Sequence, residues 1–215
     1  GSSPDMRIGI FGGSFNPVHY GHVAVARAAV EDLGLDRLLV VPASTSPFKA
    51  IGKKPEFFSR LEAVSAAFRE IPGAEVDLRE IRRGGISYAI DTVSEIAAEN
   101  PDAELFFIVG EDSLAGLPMW KDYDRLAKLC TFKAYARTPE SSTRIRELFD
   151  RGGVVENPDA KIVRTVRDGL ARKGWFCPCR LAKAREYFCP CEEFLAQLAD
   201  DGYRGFCHCR LYLKK

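Results

Sequence analysis

Residues 7–22 read Arg7-Ile8-Gly9-Ile10-Phe11-Gly12-Gly13-Ser14-Phe15-Asn16-Pro17-Val18-His19-Tyr20-Gly21-His22. The first five form a short apolar run that stops at a glycine pair, as a buried strand feeding a tight turn would. From His19 to Leu33, the residues Val23, Ala26, Ala29, Val30 and Leu33 recur at three- and four-residue steps, so a helix follows and Gly34 ends it. Gly12 and Gly13 let a backbone approach a ligand closely, and the helix start offers unpaired N–H groups and a positive dipole end to an anion. The turn lacks the Gly-Lys-Ser/Thr ending of a Walker A loop and the Gly-x-Gly-x-x-Gly dinucleotide fingerprint. His19 and His22 lie three apart in the first helical turn and share a face, so both would point at one anion. They are two of only three histidines in the chain.

Working outward, the pattern repeats. Leu38-Leu39-Val40-Val41 is a second apolar strand, Phe58 to Phe68 has a helical period, and Val76-Asp77-Leu78 is strand-like. Ala89 to Ala98 is helical, and Leu105-Phe106-Phe107-Ile108-Val109 is the strongest strand, ending at Gly110. Tyr123 to Leu129 reads as a short helix and Thr131 to Ala136 as a further strand. Strands apolar throughout and separated by helices predict an α/β fold, a Rossmann-like parallel sheet covered on both faces, over residues 6–153. Gly152-Gly153 is the natural boundary. Beyond it Asp159 to Lys173 is amphipathic, with Ile162, Val163, Val166 and Leu170 on one side.

At 215 residues the chain holds about 1.4 ordinary domains, which suits one domain plus a small one. Hydrophobic residues at 46% and charged residues at 28% argue against a disordered or fibrous chain. A net charge of +1 gives no sign of a nucleic-acid partner, and no apolar run suits a membrane span or a secretory signal. Gly1 to Asp5 read as a cloning remnant and are set aside. The balance is uneven, net +4 over residues 154–215 and −3 before them, and six of the seven cysteines lie between Cys177 and Cys209. A secreted disulfide framework would spread its cysteines through the chain, so a cytoplasmic protein is expected.

Residues 12–22 resemble the nucleotidylyltransferase superfamily, whose signature is His-x-Gly-His after a Gly-Gly-x-Phe-Asp/Asn-Pro turn. The wider match is similar to the bacterial nicotinate mononucleotide adenylyltransferases. Pro47-Phe48-Lys49 resembles that family's basic phosphate loop, and Ser87-Tyr88-Ala89-Ile90-Asp91-Thr92 its Ser-Tyr-Thr-x-Asp-Thr helix start. Gly110-Glu111-Asp112-Ser113, followed by Trp120, resembles its Gly-x-Asp…Trp stretch, and Ser141-Ser142-Thr143-Arg144-Ile145-Arg146 its Ile-Ser-Ser-Thr-x-Ile-Arg motif. Only Thr138-Pro139-Glu140 precede that last motif, where the family has a longer stretch, so a trimmed fold is expected. The resemblance implies adenylyl transfer from ATP, with Mg²⁺ on its phosphates, to nicotinate mononucleotide. His19 and His22 would donate to phosphate oxygens, and Lys49 would neutralise charge at the reacting phosphates. Asp112 would accept from ribose or adenine, and Trp120 would stack on the pyridine ring. Gly12, Gly13, Ser14, Phe15, Gly21, Ser87, Tyr88, Asp91, Thr92, Gly110, Ser142, Thr143 and Arg146 would complete the substrate site. For Arg60, substrate contact and an ordinary solvated helix arginine are equally open.

The six clustered cysteines form Cys177-Pro178-Cys179, Cys189-Pro190-Cys191 and Cys207-His208-Cys209. About 60 residues need a staple such as disulfides or a metal. Cys-x-Cys units fit zinc knuckles poorly, while four thiols would suffice for a [4Fe–4S] cluster and leave two for a disulfide. The triple motif resembles the catalytic subunit of ferredoxin:thioredoxin reductase over roughly residues 155–213. That resemblance implies a small, mostly α iron–sulfur domain with Cys177, Cys189, Cys191 and Cys207 as cluster ligands. Cys179 and Cys209 would form a redox-active disulfide, with His208 assisting proton transfer and with ferredoxin and a thioredoxin-like protein as partners. Cys130 reads as a buried apolar residue. Two other readings stay open: a disulfide reductase whose first domain only senses nucleotide, and a transferase with a zinc-bound structural appendage.

Overall fold

The structure is a computed structural model that describes residues 6–44 and 55–215. Five strands form a parallel sheet in the order β3-β2-β1-β4-β5: β1 (Arg7–Gly13), β2 (Arg37–Pro42), β3 (Ala74–Val76), β4 (Glu104–Gly110) and β5 (Thr131–Tyr135). Because side chains alternate across a strand, each central strand feeds two cores. Ile8, Ile10, Leu39, Val41, Leu105, Phe107 and Val109 point to one face, packed by α4 (Ala89–Glu99) and α5 (Tyr123–Leu129). Phe11, Leu38, Val40, Phe106 and Ile108 point to the other, under α1 (Tyr20–Leu33) and α2 (Arg60–Phe68). Ile8, Ile10 and Leu38 are fully buried, each worth about 1.5–3 kcal/mol of transfer free energy.

The third strand ends earlier than its apolar pattern predicts. Asp77 N–H makes the last bond to the sheet, at Val40 O, and the Asp77 carboxylate then accepts from the backbone N–H of Arg79 at 3.0 Å. That turn starts α3 (Arg79–Arg83), which no hydrophobic period announces.

After β5 the chain passes directly to α6 (Ser142–Arg151), whose N-cap Ser141 accepts from Arg144 N–H. Then come β6 (Val155–Glu156), α7 (Ala160–Arg172), α8 (Glu192–Ala199), β7 (Gly205–Phe206) and β8 (Tyr212–Lys214). The last three strands pair antiparallel in the order β6-β8-β7. A mostly α ending misses this sheet, because strands of two or three residues carry no readable alternation.

The glycine pair at 152–153 marks no break in packing. The core beneath α1 and α2 runs on without interruption through Leu148, Phe149, Val166, Leu170, Trp175 and Phe194 to five of the cysteines. Phe149 sits at its centre, with its ring 5.1 Å from Phe58, 5.8 Å from Phe194 and 5.0 Å from Tyr212. Among the described residues, no helix is long and apolar enough to cross a membrane.

Candidate active site

Sheet topology places the first site. The strand order reverses direction between β1 and β4, and ligands of open parallel sheets sit at such a reversal, beyond the carboxyl ends of the strands. Here β1 and β4 stay paired only as far as Ile10 and Phe107. Past that point β1 follows β2 to Gly13–Pro42, while β4 follows β5 to Gly110–Tyr135. The two central strands therefore splay apart, and the Gly12-Gly13 turn lies at the opening.

His19 caps α1, and its imidazole stacks on His22 with ring centroids 3.7 Å apart and planes 18° from parallel. His19 N–H donates to His22 Nδ1 at 3.0 Å. Burial holds His19 far below the ordinary histidine range, at about 4; the nearby Glu140 carboxylate opposes that shift and the Arg185 guanidinium reinforces it. Beneath the pair, Phe15 is buried edge-on to His22 at 5.0 Å and also packs on Phe11 and Phe68, so its ring supports the imidazole from the core. Gly21 is required by space: a Cβ there would lie 2.0 Å from Thr138 Oγ1 and about 2.9 Å from the His19 ring.

Three side chains lock the turn by donating to its carbonyls. Arg60 reaches Ser14 O at 3.0 Å and Ala43 O at 2.7 Å, bridging the ends of β1 and β2. Ser142 Oγ reaches Pro17 O at 2.7 Å, and Arg146 reaches Asn16 O at 2.6 Å. Arg146 also donates to Thr143 Oγ1 at 3.3 Å. The Ser-Ser-Thr motif thus lies against the histidine turn despite its short connection, and Arg60, Ser142 and Arg146 act on backbone there.

Other expected residues fall elsewhere. Thr92 is buried and donates to Glu80 at 2.6 Å, while Ser87, also buried beside Glu80, accepts from Ser44 N–H. Burial raises the Glu80 carboxyl above its ordinary range. These hydroxyls tie α4 to α3 and to the end of β2 around a buried acid that no motif announced. Tyr88 caps α4 with the Lys121 ammonium 4.4 Å from its ring centre, and Asp91 is half-buried in the first turn. Gly110 ends β4, and the exposed Asp112 follows it, paired with Arg137 at 3.4 Å. Trp120 is half-buried, edge-on to Phe107 and Phe132 at 5.6 and 5.9 Å. Lys49, with Pro47 and Phe48, lies outside the described residues.

The cysteines build a second place. Cys177, Cys189, Cys191, Cys207 and Cys209 are buried and line one small cavity with Phe194 and Tyr212, while His208 stands at its exposed rim. Cys179 is exposed. All seven cysteines are free thiols, so the Cys179–Cys209 disulfide implied by resemblance is not closed here; the Cys209 sulfur lies 3.6 Å from that of Cys207. Hydrogen bonds shared with Cys209 pull the Cys177 and Cys207 thiols down to about 6 and about 7, and the Cys209 titration is pushed upward in return. Burial raises Cys191 to about 11 and Cys189 well above the ordinary thiol range. Among the described residues, no group of three or more His, Cys, Asp or Glu is spaced to hold a metal ion. Cys130 is the buried residue its sequence context suggests, with a thiol raised to about 12 by burial.

A family model described as cytidylyltransferase-like matches residues 10–166, which stops short of Cys177. A protein of Gemmatimonas aurantiaca named "Probable nicotinate-nucleotide adenylyltransferase" is 38% identical over 181 residues, covering 79% of this chain and 85% of that protein. One of the same name from Geobacter sp. is 43% identical over 144 residues, 67% of each. The solved nicotinic acid mononucleotide adenylyltransferase of Plasmodium falciparum, complexed with NaAD, shares the fold at a TM-score of 0.53 and 14% identity, over 79% of this chain and 94% of that one.

Proposed function

The chain belongs to the cytidylyltransferase-like family, and from that premise we propose that its parallel-sheet part transfers an adenylyl group from ATP to nicotinate mononucleotide. The observation that carries the reading is the stacked His19–His22 pair at the splayed ends of β1 and β4. An oxygen of the mononucleotide 5′-phosphate attacks the α-phosphorus of ATP in line. The new P–O bond forms as the bond to the β-phosphate bridge breaks, and pyrophosphate leaves with the electron pair. Mg²⁺ arrives on the ATP phosphates and neutralises part of their charge. Such chemistry needs positioning and stabilisation of developing charge rather than a covalent enzyme intermediate. His19 and His22 donate to the phosphate oxygens, and the incoming anion opposes the burial that keeps His19 neutral. Arg60, Ser142 and Arg146 hold the turn that carries them. Lys49, Asp112 and Trp120 are assigned to the reacting phosphates, the nucleoside and the pyridine ring. A coupled assay with ATP and nicotinate or nicotinamide mononucleotide tests the reading: dinucleotide should form, and His22→Ala should lower turnover by orders of magnitude while leaving the fold intact. No dinucleotide from either substrate overturns it.

We also infer a second, redox function for the cysteine-rich part, supported by five buried thiols around one cavity. Thiolates are soft donors that suit zinc or iron–sulfur sites. By the resemblance of the triple motif, Cys177, Cys189, Cys191 and Cys207 would hold a [4Fe–4S] cluster, which would supply single electrons when bound. Cys179 is the thiol within reach of a target disulfide on a thioredoxin-like protein, and Cys209 is its resolving partner, with ferredoxin as electron donor. Protein purified without oxygen should absorb broadly near 400 nm and carry about four irons per chain. Stoichiometric zinc in iron-sufficient protein overturns this reading and leaves the transferase untouched.

A further inference from the structure

We propose that Arg185, in the spacer between the two Cys-Pro-Cys units, is a positioning residue for the adenylyl-transfer site, acting through Glu140 and Tyr20 on the histidine pair. The inference rests on the transferase reading above and adds to it a residue from outside the matched family segment.

The geometry is a chain of direct contacts. Arg185 grips the Glu140 carboxylate with two donors: Nε pairs with Oε1, and an η-nitrogen donates to Oε2 at 2.6 Å. This planar fork is the form in which an arginine–carboxylate pair fixes orientation as well as charge. The Glu140 side chain is 17% exposed and that of Arg185 40%, so the carboxylate is covered while the guanidinium reaches solvent. The same guanidinium lies 5.1 Å from the centre of the Tyr20 ring, within cation–π range. Tyr20 stands between the two histidines in His19-Tyr20-Gly21-His22. Its ring meets Phe176 and Phe188 edge-on at 6.3 and 6.4 Å, and each of those phenylalanines directly precedes a cysteine.

Glu140 in turn sits where it can act on the site. It immediately precedes Ser141, the cap of α6, whose Ser142 and Arg146 hold the Asn16 and Pro17 carbonyls. The Thr138 hydroxyl bonds to Glu140 and fills the space beside Gly21. Glu140 and Arg185 face His19 together with the stacked His22 ring, and the two charges push its titration in opposite directions. Arg185 thus offsets the charge of a carboxylate beside the imidazole, and clamps the β5–α6 connection that carries Glu140.

The opposite signs make the test sharp. In the full chain, Arg185→Ala should reduce kcat roughly ten- to a hundredfold with a smaller change in KM, as misplacement of a reacting group does. The His19 imidazole, followed by NMR titration, should move to higher pH in that variant, because the unpaired carboxylate favours its charged form. Glu140→Gln should move it lower, and combining the two changes should return it toward the original value. Arg185→Lys, keeping the charge but not the fork, should restore the titration and only part of kcat. A generally loosened structure would not shift His19 in opposite directions. An unmoved His19 titration with unchanged kcat in Arg185→Ala overturns the proposal. Absence of transfer by the unaltered chain overturns the transferase reading instead, and the NMR titration still reports whether Arg185 governs His19.

Discussion

Gly21 and His19 are where single atoms decide the outcome. Gly21→Ala puts a methyl 2.0 Å from the Thr138 hydroxyl and against the His19 ring, so either Thr138 or the imidazole must shift. The variant should fold with reduced stability and lose most turnover, read from a melting curve and the coupled assay together. His19 predicts a pH effect as well. Its folded titration is lowered to about 4 from 6.5, so the native state resists protonation more than the unfolded chain does. Its contribution is fully present above pH 6.5 and is lost as pH falls through that window toward 4, a difference on the order of 3 kcal/mol at most. Urea unfolding of ligand-free protein at pH 7.5 and pH 5 checks this, since His19→Asn should remove that part of the slope. Trp120→Ala should chiefly raise the KM for the mononucleotide, because a stacking contact is lost in ground and transition states alike. An unchanged KM assigns Trp120 to the Phe107–Phe132 cluster alone.

At the scale of elements, α6 is the brace of the site. Arg146→Ala leaves the Asn16 carbonyl without its donor and should cost about 1–3 kcal/mol, with a fall in kcat because the histidine turn is freed. Thermal melts and steady-state kinetics on one preparation read both effects. The long elements were legible in the sequence: β1, β2 and β4 as continuous apolar runs, two of them stopping at glycine, and α1, α4 and α7 as periodic faces. The histidine pair and the arrival of Ser142 and Arg146 beside it followed from short motifs whose chemistry is local. What escaped did so for physical reasons. Strands β6 to β8 are too short to alternate, α8 begins directly at Cys191, and α3 is fixed by Asp77 rather than by a hydrophobic face. Glu80 and Arg185 carry no pattern at all, since a buried acid and a clamping arginine are defined by partners distant in sequence.

The whole molecule is one continuously packed body. Arg69 donates to Ala171 O, Lys183 pairs with Glu70 at 2.6 Å, and Phe57 meets Tyr212 at 5.5 Å, all across the glycine pair. A chain cut after Gly153 should therefore aggregate or melt well below the full chain, and Leu170→Ala, at a fully buried position, should cost about 2–5 kcal/mol. Circular dichroism of both separates this outcome from two independent domains, in which case the cut chain would melt normally. The uninterrupted core also has a consequence for how the protein is made. Synthesis runs from the amino end at about 5–20 residues per second, so the 62 residues from Val154 onward take roughly 3–12 s to follow the sheet out of the ribosome. During those seconds the faces of Phe57 and Phe149 that Tyr212 and Phe194 will cover are still bare, and the Arg185 clamp does not yet exist. A nascent chain in that interval exposes apolar surface, and the contacts of Arg185 with Glu140 and Tyr20 form only after the cysteine-bearing segment has been translated.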